Sequence, residues 1–316
     1  MAALHSLRFS PKPSPLSRGS GQQGGTSLCA AKPPAVKLPS ASIVHNNSQD
    51  PLLPLPDLPA PLKEKILCLE MMGIDSGRAL SLNPSLRSAP IDSLHAVVSY
   101  LLSKGVHHKD MGRIFGMCPG ALTADVRRDL APVFRFLAGQ LGVPSTGFRR
   151  VVNKCPRLLV CSVPEQLQPA LIFLRRLGFW DMEALAYQDP VLLASSVERT
   201  LLPKLEYLAG ELGYGREEAA AMVVRCPALF TFSVENNFRP KLGYLVGEMG
   251  RSVEELREFP QYFAFSLEKR IKPRHRQMED RRLRLSLPEM LRTTDQEFAL
   301  LLHRAGDKGA IFPRLE

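Results

Sequence analysis

Between residues 110 and 250, apolar residues fall repeatedly in steps of four, four, three and four. Val126, Leu130, Phe134, Leu137 and Leu141 make one series; Val197, Leu201, Leu205, Leu208 and Leu212 make another; Val234, Phe238, Leu242, Leu245 and Met249 make a third. That spacing gathers five side chains on one face of an α-helix. A shorter apolar face precedes each copy: Met111, Ile114, Phe115 and Cys118 in one, Phe148, Val151, Val152 and Cys155 in the next, then Met222, Val223 and Cys226. Ser252 and Glu255 read as a capping box opening the last of these shorter helices. No segment reads as a strand.

Prolines punctuate the helices at a fixed beat. Pro119, Pro156, Pro190, Pro227 and Pro260 recur at intervals of 37, 34, 37 and 33 residues, and each is followed thirteen residues later by Pro132, Pro169, Pro203, Pro240 or Pro273. A weaker first copy sits at Pro84, with Val97 at the thirteenth place. Six residues after the first proline stands Ser162, Ser196, Ser233 or Ser266, suited to a helix N-cap. Gly142, Gly213 and Gly250 come ten residues after the second proline, and Gly178 nine, suited to a left-handed helix end. The second proline lies inside the apolar stripe, so either the long helix kinks there or its main part starts there. The unbroken stripe favours the kink. Neither helix of a unit can bury its stripe alone, so the pattern predicts an all-α solenoid, right- or left-winding, of about six stacked helical repeats.

Cys118, Cys155 and Cys226 share one repeat position, which marks them as small core residues rather than ligands. No cysteine and histidine spacing suits zinc, so no metal is expected.

Charge modifies this picture at both ends. The chain of 316 residues carries +10, but residues 1–49 hold Arg8, Lys12, Arg18, Lys32, Lys37 and nine serines, and no acid. Basic, serine-rich and acid-free composition predicts an organellar transit peptide, with the MAA start and Ser/Pro richness favouring the chloroplast over the mitochondrion. Residues 50–61 read as a proline-rich linker, 62–303 as the repeat domain and 304–316 as a tail. Removing the leader leaves about +5, and residues 269–284 alone hold eight Lys or Arg against Glu279 and Asp280. The basic character is local. No apolar run is long enough to span a membrane, so membrane insertion is not expected.

The units PALFTFSVENNFRPKLGYLVGEMG, PRLLVCSVPEQLQPALIFLRRLG and PVLLASSVERTLLPKLEYLAGELG resemble the repeats of the mitochondrial transcription termination factor (mTERF) family, and SLPEMLRTTDQEFALLL resembles its C-terminal segment. The resemblance runs from about Leu62 to His303. It implies a superhelix of units built from two α-helices and a short 3₁₀ turn. It also implies binding of double-stranded DNA or structured RNA in an organelle, in transcription termination or regulation, intron splicing or ribosomal RNA maturation. It supplies no individual contact residues.

The residues themselves offer a candidate interface. Lys204, Lys241 and Arg274 follow the second proline in three consecutive repeats, and Arg239 and Lys272 precede it, so stacking would align them into a ladder. Lys269, Arg270, Arg276, Arg281, Arg282 and Arg284 complete a basic C-terminal helix, proposed as an anchor for one end of a nucleic acid. In that last repeat the stripe positions Leu267, Ile271, His275, Met278 and Arg282 turn polar, as a terminal unit allows. No phosphate-binding GxxxxGK[ST] loop, HExxH or nucleophile elbow is present, so neither an enzyme nor a cofactor is expected. The alternative is a protein-binding scaffold within an organellar gene-expression complex.

Overall fold

The computed structural model describes residues 58–307. The expected import segment, residues 1–49, lies outside the described residues, as do most of the linker and the end of the tail. The first helix, Ala60–Met71, starts two residues before the expected domain edge, with Pro61 in its first turn, where a missing N–H is no loss. The last, Asp295–Asp307, carries helix past residue 303 into the expected tail.

Six units follow one plan, and no strand occurs among the described residues. In the second unit a first helix, His108–Met117, meets a 3₁₀ turn, Pro119–Thr123, and then a second helix wound through Val126–Leu130 and Ala131–Gly139. The first unit is Ser76–Leu82, Pro84–Arg87 and Ile91–Ser103, so the weak copy at Pro84 is a full repeat. First helices of the third to sixth units are Phe148–Lys154, Met182–Gln188, Arg216–Arg225 and Glu255–Glu258.

Each first helix ends for the same reason. A residue before proline is pushed out of the α region. Asn83, Cys118, Cys155, Asp189, Cys226 and Phe259 accordingly hold φ between −129° and −140°. The three cysteines in this slot are buried, and burial raises their thiols. Cys161, also buried, is pushed up to about 11. They are core residues.

The second proline is accommodated by winding. Before it, the chain makes a π turn in five units: Leu130, Leu167, Leu201, Phe238 and Ile271 donate five residues back to Asp125, Ser162, Ser196, Ser233 and Ser266 at 3.1 to 3.2 Å in four cases and 3.0 Å in the last. A proline ring clashes with the carbonyl four residues back and cannot donate. The π turn bonds five back and ends just before the proline, so the missing N–H falls in the first turn of the α-wound part, where it costs least. The stripe therefore runs unbroken through the proline, and the α-wound part starts around it. The serines cap as expected: Ser162, Ser196, Ser233 and Ser266 accept backbone N–H groups at 3.2 to 3.3 Å, and Asp125 does so in the second unit. The expected capping box at Ser252 does not form, because Glu255 turns instead to the buried Arg251, 2.6 Å away.

The core is one stack of stripes. Leu205, Leu208 and their counterparts Leu137, Leu245 and Met278 are all buried. The last unit departs from expectation, since His275 and Met278 do not face water. The solenoid continues for half a unit, Leu287–Arg292 and Asp295–Asp307, which covers that face with Leu287, Met290 and Leu291. His275 Nδ1 sits 3.0 Å from the Tyr244 hydroxyl.

Candidate nucleic-acid interface

Stacked repeats leave the carbonyls that end each 3₁₀ turn without helical partners, and such groups must find donors. Lys204 and Lys241 supply them. Their ammonium groups donate to the Phe230 and Phe263 carbonyls of the following unit, each at 2.6 Å. Arg274 reaches the half unit in the same way, donating to the Met290 and Thr293 carbonyls at 2.6 and 2.9 Å and to Asp295 at 2.5 Å. Arg270 donates to the Leu291 carbonyl at 3.0 Å and also to that of Thr293. Lys241 and Arg274 are only 6% and 3% exposed. Burial lowers the Lys204 ammonium and brings Lys241 down to about 8.

The expected ladder of Lys204, Lys241 and Arg274 is thus a row of internal stitches. Their long stems lie along apolar surface and their charged heads are spent on backbone oxygen. They do not face a ligand, and Arg270 belongs with them.

The other expected contacts remain at the surface. Lys269, Arg276, Arg281, Arg282 and Arg284 are exposed. Arg239 is exposed too, 3.3 Å from Glu235 and over the Tyr207 ring. Lys272 is half-buried and held at 2.5 Å by Glu268. The outward charge is therefore concentrated where the last second helix, Lys272–Glu279, ends and the chain turns towards Leu287.

A second basic feature was missed in the sequence. Between the first helices of the second and third units lies a cavity of 440 Å³ lined by Arg113, Thr146, Arg149, Arg150, Asn153 and Lys154. Arg149 grips Asp110 with two bonds, 2.6 and 3.1 Å, and that guanidinium holds the Asp110 carboxyl well below the usual carboxylate range. The Arg150 guanidinium lies 5.0 Å from the centre of the Tyr187 ring. Lys154 caps the next first helix, donating to the Tyr187 carbonyl at 3.1 Å and also to that of Gln188. A signal was available: Arg113 and Arg150 are separated by the same 37 residues as Pro119 and Pro156. Among the described residues no group of His, Cys, Asp or Glu is arranged to hold a metal. No described helix is long and apolar enough to cross a membrane.

Comparison with known proteins agrees with the architecture. The sequence profile of the mTERF family matches residues 62–210 and again residues 184–299. The chain is also similar to a chloroplast protein of Arabidopsis thaliana, transcription termination factor MTERF2, with 33% identity over 165 residues. The aligned part is 52% of this chain and 20% of that relative, so the chain spans only a small share of the relative's length.

Proposed function

The chain belongs to the mTERF family, and from that premise we propose that it is a non-enzymatic, organellar nucleic-acid-binding factor that regulates gene expression. In this reading it binds double-stranded DNA or structured RNA along its repeats and serves transcription termination, transcription regulation or RNA processing such as splicing. The organelle is the chloroplast, reached by residues 1–49. The acid-free leader and the chloroplast relative support that location, and a fusion of the leader to a fluorescent protein should enter chloroplasts.

The observation that carries the reading is the exposed basic end of the last repeat. Lys269, Arg276, Arg281, Arg282 and Arg284 all face solvent there. Polyanions bind such clusters by releasing counterions, each neutralised phosphate of duplex DNA adding about 0.9 to the logarithmic salt slope. The stitches must be left intact in a test. Reversing Arg276, Arg281 and Arg284 to Glu should weaken binding to duplex DNA or hairpin RNA whatever the sequence, and flatten the slope by about 2.7 units if each makes one duplex contact. Unchanged affinity across the salt series would remove the anchor.

One observation favours a scaffold instead. Trp180, the only tryptophan of the chain, is 86% exposed in the turn before Met182–Gln188. Exposed tryptophans are frequent anchors of protein interfaces. If Trp180→Ala abolishes capture of an organellar protein while the charge reversals change nothing, the scaffold reading replaces the first.

A further inference from the structure

Six residues before each first proline stand Arg78, Arg113, Arg150, Ala184, Ala221 and Glu254, the first five of them on first helices. The three arginines occupy one structural position in three consecutive units, and all three are exposed. This row differs from the one after the second proline, whose members turn inward to carbonyls. It is also confined to one half of the molecule. The first helices of units one to three hold Arg78, Lys109, Arg113, Arg149, Arg150 and Lys154 against Asp110, a net +5. Those of units four to six hold Arg216, Arg225 and Arg257 against Glu183, Glu217, Glu218, Glu255 and Glu258, a net −2.

We propose that Arg78, Arg113 and Arg150 form a phosphate-binding ladder on the first-helix layer of units one to three, with the open, strongly basic cavity between units two and three as one of its subsites. This inference rests on the nucleic-acid reading and assigns it a second contact surface, on a helix layer different from that of the basic C-terminal end. The subsite is preorganised. Tyr187 supports the Arg150 guanidinium, and Asp110 fixes the plane of Arg149 while cancelling only one of the four positive charges around the cavity. Side chains already held in place lose little freedom on binding. Gly147 shows how closely this floor is fitted, since a Cβ there would stand 2.0 Å from the Tyr187 hydroxyl oxygen. Of the other carboxylates near the row, Asp75 caps its helix through the backbone N–H of Arg78 at 2.8 Å, Glu70 accepts the backbone N–H of Ser76 at 3.1 Å, and Asp189 lies beside Lys154. Packed helices lie roughly 8–10 Å apart, so successive rungs would meet phosphates a few nucleotides apart along a backbone.

The chemistry recognised is the phosphate group, which a nucleic-acid backbone or a free polyphosphate can present, and the test separates the two. The full chain is compared with the Arg78→Ala/Arg113→Ala/Arg150→Ala variant and a control, Arg127→Ala/Arg199→Ala/Arg304→Ala, which removes equal charge from exposed sites elsewhere. Circular dichroism checks that all three fold. Probes are duplex DNA, hairpin RNA, tripolyphosphate and vesicles of anionic phospholipid. The ladder variant should lose about 2.7 units of salt slope on duplex DNA, equivalent to about fortyfold less sensitivity between 50 and 200 mM salt, and the control should not. Equal slopes for the variant and the wild type would overturn the ladder, as would loss of vesicle binding with nucleic-acid binding intact. If the wild type binds no nucleic acid, the functional reading fails by itself. Tripolyphosphate then decides the ladder: thermal protection of the wild type but not of the variant supports it, and equal protection of both overturns it.

Discussion

Lys241 shows how one residue can look like a ligand contact and serve the fold. Its ammonium is buried against the Phe263 carbonyl and 5.8 Å from the centre of the Phe232 ring, with no carboxylate bonded to it. Burial disfavours the charged form and lowers its pKa from 10.5 to about 8. In the unfolded chain the ordinary value returns, so between pH 8 and 10.5 the unfolded state holds more protons than the folded state. This group therefore makes stability rise with pH through that window, while well below pH 8 its destabilising effect is full and constant. The expected rise from pH 8 to 9.5 is about 1.5 kcal/mol, with Lys204 adding in the same direction. Urea titrations of wild type and Lys241→Met at several pH values should show it as a stability difference that shifts in favour of wild type as pH rises. The buried thiols, raised by burial, titrate in the opposite sense over the same range. The Lys241 contribution is therefore read as the difference between wild type and Lys241→Met, and a difference that does not change with pH would mean that the ammonium is not desolvated.

At the scale of the element, helix ends decide the repeat. Gly73 closes the helix that precedes the first unit, and Gly105, Gly142, Gly178, Gly213 and Gly250 close successive second helices, all with φ between 56° and 104°. Arg282, nine residues after Pro273 as Gly178 is after Pro169, closes the last with φ 53°. A Cβ in this region costs roughly 1–2 kcal/mol, partly offset by the greater freedom of glycine when unfolded. Arg282→Gly should thus stabilise the chain by about 0.5–1 kcal/mol, read as a higher denaturant midpoint. An unchanged or lower midpoint would show that the arginine side chain offsets the strain. These elements also mark what the sequence made legible. Prolines, capping serines and closing glycines act within a few residues of themselves, so their spacing revealed helices, turns and stripe together. The π turns were not legible, because a proline inside a stripe predicts only that something must yield. The inward stitches of Lys204, Lys241 and Arg274 were hidden for a different reason. A lysine beside a proline reads as surface until the carbonyl of the next unit, more than twenty residues on, is brought to it. The exposed row at Arg78, Arg113 and Arg150 is legible in the sequence once the units are aligned on the first proline, six residues after each arginine.

For the whole molecule, stability in a stack of repeats is close to a sum of unit terms and interfaces between neighbours. The C-terminal half unit then matters more than its size suggests. It covers Met278, receives the buried Arg274 guanidinium on the Met290 and Thr293 carbonyls and on Asp295, and places Phe298 with its ring centre 4.6 Å from that guanidinium. Truncation after Arg284 leaves Arg274 with none of these acceptors and wets the stripe of the last unit. The cost is mainly lost apolar burial, about 25 cal/mol for each Å² of the stripe returned to water, since the freed guanidinium becomes hydrated. The penalty falls on a unit with a neighbour on one side only, so unfolding should stay local. Hydrogen exchange of the truncated chain should show lost protection over residues 267–279, while residues 163–176, three units away from the cut, keep theirs. The exposed Lys269 and Arg276 ride on that same helix and Arg281 on the turn that follows it, so truncation should also weaken nucleic-acid binding without removing a single one of those charges. Full protection over 267–279 after truncation would mean that the last repeat stands alone, and that its basic end owes nothing to the segment that follows.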